Sequence, residues 1–363
     1  MALFKDKYLH LISALAGLIH NFKESKPVNK ILIYKLDHLG DLLISTPVIK
    51  SIRNKFPNAV IKIVAGEWSI NVFKGNPYID EIIYYNSQYF SREPYLPHNF
   101  GDLKKKIKTW NPDLIISLRD DWDTCISNLF TKASVCDIGR TQIIEKLQRK
   151  ANDKFDHITL RQSKTVSRIG ITNIQSDKYD FFISDDEVIE SRKIIESNLI
   201  KDNFVVVHNG ASNLLKEWEV ERFAEIAKFI YKNYNYQIVL IGSPNEIEIT
   251  NKLYDLLKDI DCINLSGRMN FRITAAFLKN ARLYIGCDGG IMHLAAALGV
   301  KTIGLFGPGS IDLFKPLTKN SIGISKNYSC SPCYQQTCIR PNDSCMDAIK
   351  VIDVLLQIKN IEI

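Results

Sequence analysis

Short apolar runs alternate along the chain with longer segments whose apolar positions recur every three or four residues. Ile31–Tyr34 (ILIY) reads as a buried strand. From Leu42 to Phe56, Leu43, Pro47, Ile49 and Ile52 lie among polar and basic neighbours, which predicts a helix. Strands are expected at Ala59–Ala65 (AVIKIVA), Glu81–Tyr85 (EIIYY) and Asp113–Leu118 (DLIISL), and a helix over Asp123–Phe130. An acidic stretch, Asp177–Asp186, surrounds a Phe-Phe pair and leads into an expected bridging helix, Asp186–Asn198. The pattern then restarts. Strands are expected at Phe204–His208 (FVVVH), Gln237–Ile241 (QIVLI), Leu283–Ile285 and Lys301–Phe306 (KTIGLF), the last being the final core strand. Helices are expected over Val220–Tyr234, Glu246–Leu257, Thr274–Asn280 and Met292–Leu298. This is the punctuation of an α/β protein made of two doubly wound units, taken here as residues 1–190 and 191–363. Such units leave a cleft where a nucleotide and its reaction partner can meet.

At 363 residues the chain exceeds what one hydrophobic core usually organises, which agrees with two domains. A composition of 45% hydrophobic and 24% charged residues excludes a mostly disordered chain. The net charge of +7 is too small to select a nucleic-acid partner and suits an anionic metabolite or membrane face. No uncharged apolar run reaches the roughly 18 residues of a membrane-crossing helix. Leu3, Leu11, Leu18 and Ile19, flanked by lysines, predict an amphipathic helix within residues 1–25, lying on lipid or on its own domain. No small-residue cleavage site follows it, so the chain is expected in the cytoplasm, free or against the inner membrane.

Four loops carry candidate chemistry. Asp37-His38-Leu39-Gly40-Asp41 follows the first strand, and Asp41 reads either as the cap of the next helix or as a general base toward an acceptor hydroxyl. Gly286-Cys287-Asp288-Gly289-Gly290-Ile291-Met292-His293 runs from strand to helix, and its two glycines let backbone N–H groups approach a phosphate. In Ala211–Trp218, Ser212 could hydrogen-bond a diphosphate and Lys216 neutralise it, or the lysine is simply solvated. In Gly242–Glu246, Glu246 could accept from ribose hydroxyls or favour the helix it opens. Asp121-Trp122-Asp123 has the form of a metal-binding carboxylate pair but lies away from the phosphate candidates, and reads as a loop and helix cap.

Together these motifs resemble glycosyltransferase family 9, the ADP-heptose:lipopolysaccharide heptosyltransferases. The likeness runs from Ile31 to about Cys345. It is carried by Ile31–Pro47 (ILIYKLDHLGDLLISTP), Asn209–Trp218, Glu246, Asn264–Met269 (NLSGRM) and Asp288–Pro308, where HLAAALGVKTIGLFGP is especially close. The resemblance implies a GT-B fold, two Rossmann-like domains facing across a cleft, and inverting transfer that requires no metal. It implies ADP-heptose or a related nucleotide sugar as donor. The implied acceptor is a hydroxyl of the lipopolysaccharide inner core, with a protein acceptor, as in autotransporter heptosyltransferases, or non-catalytic sugar-nucleotide binding as alternatives. Acceptor recognition would fall to first-half loops such as Tyr89–Phe100, which carry no motif.

By the same resemblance Asp41 matches the catalytic aspartate. Lys216 would hold the diphosphate, Glu246 the ribose, Met269 the adenine and Asp288 the sugar hydroxyls, with His293 at a further donor-binding position. Gly289 stands where many members have Ser or Thr, which leaves the phosphate to backbone N–H groups of Gly289 and Gly290. Of eight cysteines, Cys125, Cys136, Cys262 and Cys287 are scattered through the strand–helix units and read as buried thiols. Cys330, Cys333, Cys338 and Cys345 are closely spaced, and Cys-Ser-Pro-Cys resembles a metal knuckle that could take structural zinc or iron. Reduced thiols or disulfides in a C-terminal loop are the other reading.

Overall fold

The computed structural model describes residues 22, 27–87, 99–119, 121–129, 131–148, 156–326, 328–333 and 337–361. Apart from Phe22, the expected N-terminal helix lies outside them, as does most of the Tyr89–Phe100 loop. The chain divides into two units, Met1–Ser176 and Asp177–Ile363.

The first unit runs β1 (Lys30–Tyr34), α1 (Leu39–Leu43), α2 (Thr46–Lys55), β2 (Val60–Ala65), α3 (Ile70–Phe73), β3 (Glu81–Tyr84), α4 (Phe100–Trp110), β4 (Leu114–Ser117), α5 (Trp122–Leu129), β5 (Ser134–Asp137), α6 (Ile138–Gln148) and α7 (Ile158–Ser167). Its strands form one sheet in the order β3-β2-β1-β4-β5, every neighbour parallel. β1 lies at the centre, with Ile31 opposite Ile61 on one side and Leu114 on the other. The single helix expected over Leu42–Phe56 is two. Pro47 has no N–H to give and therefore sits in the first turn of α2. Hydroxyls of Ser45 and Thr46 donate to the carbonyls of Asp41 and Leu43 (both 2.7 Å), closing α1.

The second unit runs α8 (Asp185–Ser197), β6 (Phe204–His208), α9 (Val220–Tyr234), β7 (Gln237–Leu240), α10 (Ile247–Asp255), β8 (Cys262–Asn264), α11 (Phe271–Leu278), β9 (Leu283–Cys287), α12 (Gly290–Ala297), β10 (Lys301–Phe306), α13 (Ile311–Phe314), β11 (Ser321–Ser325) and α14 (Val351–Asn360). The sheet order is β11-β10-β9-β6-β7-β8, again parallel. Lys301–Phe306 is thus followed by one more strand. β11 pairs with β10 at the sheet edge and buries only Ile324, so its pattern is faint. The expected bridging helix, α8, belongs to the second unit. Ser184 and Glu187 form a capping box at its start. Arg272 of α11 holds Glu187 with two hydrogen bonds, Nε to Oε1 at 2.9 Å and Nη2 to Oε2 at 2.7 Å. At the centre of the unit β6 is buried throughout, and Trp218 packs edge-on to Phe223 while its Nε1 donates to the carbonyl of Ile349 (2.9 Å). In both sheets the chain reverses direction of winding at the first strand, between β1 and β4 and between β6 and β9. Carboxyl ends of strands at such a switch point are where ligands bind.

Candidate active site

β1 ends in a charged cluster. Lys35 is fully buried and pairs with Asp37 Oδ2 at 2.8 Å, while Arg119, after β4, reaches Asp37 Oδ1 at 2.8 Å. Burial raises the Asp37 pKa, but the two cations outweigh it and hold the carboxyl below its usual range. Trp68 Nε1 donates to the carbonyl of Asp37 (2.7 Å), fixing the loop from outside. The cap position of α1 is His38, in extended backbone, and it makes no side-chain cap bond. Asp41 is therefore not the helix cap. It lies partly exposed in the first turn, where the helix dipole favours its charge. Asp121 does cap: it accepts from the Thr124 N–H (3.0 Å) and hydroxyl (2.9 Å) at the start of α5, and burial pushes its carboxyl up to about 6. Asp123 accepts from the Tyr85 hydroxyl (2.5 Å).

In the second unit the candidates lie beyond the carboxyl ends of β6, β7, β8 and β9. After β6, the Asn213 side chain accepts from the Leu215 N–H (3.0 Å) and shapes a short turn, Leu214–Lys216. Ser212 is exposed on that loop. The turn sends Lys216 Nζ to Asp288 Oδ2 at 2.6 Å. Asp288, at the end of β9, is 8% exposed, and its N–H donates to the carbonyl of Leu305 (2.9 Å). A Cβ on Gly309 would stand 2.5 Å from Asp288 Oδ2, so any larger residue there would press on the pair.

Gly289 follows in extended backbone as the cap of α12 and supplies no side-chain cap bond; Gly290 is the first helical residue. A Cβ at 289 would meet nothing nearer than the Cys287 carbonyl at 3.8 Å, so space does not exclude a larger residue. His293, one turn into α12, is 4% exposed, and its Nδ1 has no hydrogen-bond partner among the described residues. Burial, helped by Lys216 and opposed by Asp288, lowers its pKa to about 4, so it is neutral at pH 7.

Glu246, after β7, accepts from the Ser243 N–H at 2.7 Å and lies 3.3 Å from His208 Nε2. Burial raises its pKa, yet those two contacts prevail and bring it to about 2. Met269 lies partly exposed in the loop after β8. That loop is tied to the Glu246 loop, because the Gly267 N–H donates to the Gly242 carbonyl (2.8 Å). The structure thus joins Lys216 with Asp288 beside His293, and the Met269 loop with the Glu246 loop. Asp41 belongs to the other unit. Sequence reasoning named Asp37 only as part of its loop and overlooked Lys35 and Arg119, and also His208 and Tyr284, whose hydroxyl lies 3.1 Å from His208 Nδ1. The one local signal was a lysine and an aspartate flanking Leu36 at the end of an apolar strand.

The four clustered cysteines are free thiols. They line one cavity of about 210 Å³ together with Leu214, Leu215 and Pro308. Among the described residues no three His, Cys, Asp or Glu side chains come together to hold a metal ion.

Comparison with known proteins agrees with this architecture. Lipopolysaccharide heptosyltransferase 3 of Escherichia coli (strain K12) is 24% identical over 305 residues, covering 81% of this chain and 87% of that protein. The glycosyl transferase family 9 structure from Veillonella parvula DSM 2008 matches with a TM-score of 0.73 at 19% identity, over 92% of this chain and 97% of that one. Escherichia coli heptosyltransferase WaaC, solved with ADP, matches with a TM-score of 0.63 at 17% identity, over 92% and 99%. At these identities the structures establish a shared fold, the paired Rossmann-like sheets of GT-B enzymes. The description Glycosyltransferase family 9 (heptosyltransferase) matches residues 100–343, well over half of the sequence, and the chain belongs to that family of glycosyltransferases.

Proposed function

We propose that the protein transfers a heptose-type sugar from ADP-heptose to a hydroxyl of the lipopolysaccharide inner core, with inversion at the anomeric carbon and no metal requirement. The observation that carries this reading is the 2.6 Å pair of Lys216 and Asp288 directly before the uncapped start of α12. A cation and the first backbone N–H groups of a helix at one strand end suit a diphosphate. That a related enzyme has been solved with ADP supports the same donor class.

In this mechanism Lys216, Ser212 and the N–H groups of Gly289 and Gly290 hold the diphosphate, Glu246 the ribose and Met269 the adenine. Donor binding draws Lys216 toward phosphate and frees Asp288 to accept from sugar hydroxyls. The acceptor oxygen attacks the anomeric carbon as the bond from that carbon to the diphosphate breaks. The bonding pair leaves with ADP and the hydroxyl proton passes to the Asp41 carboxylate. One displacement from the opposite face inverts the centre. Negative charge grows on the departing diphosphate, where Lys216 and the α12 amides offset it in place of a cation. The acceptor is lipid-linked, which puts the enzyme at the cytoplasmic face of the inner membrane.

The test is incubation of the purified protein with ADP-heptose and a core acceptor lacking that heptose, in buffer with and without chelator. The expected result is a mass gain of one heptose, an inverted anomeric configuration by NMR, and no effect of chelation. Retained configuration, donor hydrolysis alone, or transfer only to a protein acceptor would contradict it.

A further inference from the structure

We propose that His208 is a positioning residue for nucleotide recognition, holding one oxygen of Glu246 so that the other is presented to the ribose hydroxyls of a nucleoside diphosphate. This rests on the reading of Glu246 as the ribose contact. His208 ends β6, and its side chain is 9% exposed. Its Nε2 lies 3.3 Å from Glu246 Oε2, and its Nδ1 lies 3.1 Å from the Tyr284 hydroxyl. An ionised carboxylate only accepts, so Nε2 carries the hydrogen toward Glu246; in the neutral ring Nδ1 then accepts from Tyr284. The chain of donors therefore runs from β9 through β6 to Glu246.

The backbone is cut to fit this chain. Tyr284 pairs across the sheet with Val206, two residues before His208 and on the same face. Gly286, directly opposite His208, leaves room for the phenol: a Cβ there would stand 2.5 Å from the Tyr284 oxygen and 2.8 Å from the His208 carbonyl. A Cβ on Gly210 would stand 2.4 Å from Glu246 Oε1. Both His208 Nε2 and the Ser243 N–H reach Oε2, so Oε1 is the oxygen this inference assigns to the ribose. A long carboxylate side chain is flexible. Without the ring it would be free to swing away from the nucleotide, and its share of ribose binding would fall.

The experiment measures calorimetric affinities for ADP and for 2′,3′-dideoxy-ADP in the wild type and in His208→Leu, His208→Gln and Tyr284→Phe, each first checked for folding by circular dichroism. The wild type should favour ADP by about tenfold, as expected for a hydrogen bond to a charged group. His208→Leu should lose that preference by weakening ADP while leaving dideoxy-ADP unchanged. His208→Gln, which keeps an N–H for Glu246, should retain most of it, and Tyr284→Phe should lose part. If the wild type ignores the missing hydroxyls, the ribose reading falls and this inference with it. If the wild type discriminates but His208→Leu weakens both ligands equally or neither, or His208→Gln fares no better than His208→Leu, this inference alone falls.

Discussion

Lys216 and Asp288 stand 72 residues apart in sequence yet meet at 2.6 Å, and the pairing has consequences for both. Lys216→Ala should lower kcat/KM by about 10²–10³-fold, the usual cost of removing one donor from a site of developing negative charge. The same change strands Asp288, 8% exposed, without its partner and should reduce unfolding stability by about 1–3 kcal/mol. Steady-state kinetics and a denaturant melt check the two, and an unchanged rate would remove Lys216 from the site. Gly289→Ser tests the neighbouring helix start. There is room for its Cβ at an ordinary backbone angle, so the variant should fold. A hydroxyl reaching the diphosphate should tighten ADP by about three- to tenfold in calorimetry; an unchanged or weaker affinity would argue that the diphosphate lies elsewhere. Both residues were readable as candidates from their loops, but the ion pair joining them was not. His208 was invisible for the same reason. It reads as the last residue of an apolar strand, and its partners lie 38 and 76 residues away, where no local pattern points.

Elements with strong periodicity were legible residue by residue. β6, β10 and α9 occupy the spans that their apolar runs and helical spacing predict, because each is long enough for burial to dominate its composition. β5 (Ser134–Asp137) and β8 escaped, being short, and β11, as long as β6, escaped because it lies at the sheet edge with only Ile324 buried. The break between α1 and α2 shows proline overriding an otherwise continuous helical pattern. α5 carries a prediction of its own through Asp121. Burial raises its carboxyl from 3.8 to about 6. The folded state thus binds the proton more tightly than the unfolded one, a contribution fully present below pH 3.8 and lost as the pH rises through 6. Asp121→Asn keeps a capping oxygen but cannot ionise. Its stability relative to the wild type should improve by about 1–3 kcal/mol between pH 4 and pH 8. Denaturant melts across that range check this, and a difference that does not vary with pH would contradict the assignment.

On the scale of the whole molecule, two units that each carry a parallel sheet divide the proposed chemistry: Asp41 in the first, the nucleotide and its diphosphate in the second. The α/β class and the repeat were plain in the sequence because the same strand–helix unit recurs in both halves with buried, uninterrupted strands. Among the described residues no helix is long and apolar enough to cross a membrane. The family follows from the match over residues 100–343. What the acceptor is had no such repeat or motif to announce it. The division of labour makes one claim that can be measured in a single sample, with single-turnover transfer and calorimetric ADP affinity determined side by side for the wild type and Asp41→Asn. Transfer should fall by about 10²–10⁴-fold, the range for loss of a general base, while ADP binds within about twofold of wild type. A rate that survives the substitution, or an ADP affinity that collapses together with it, would contradict the account.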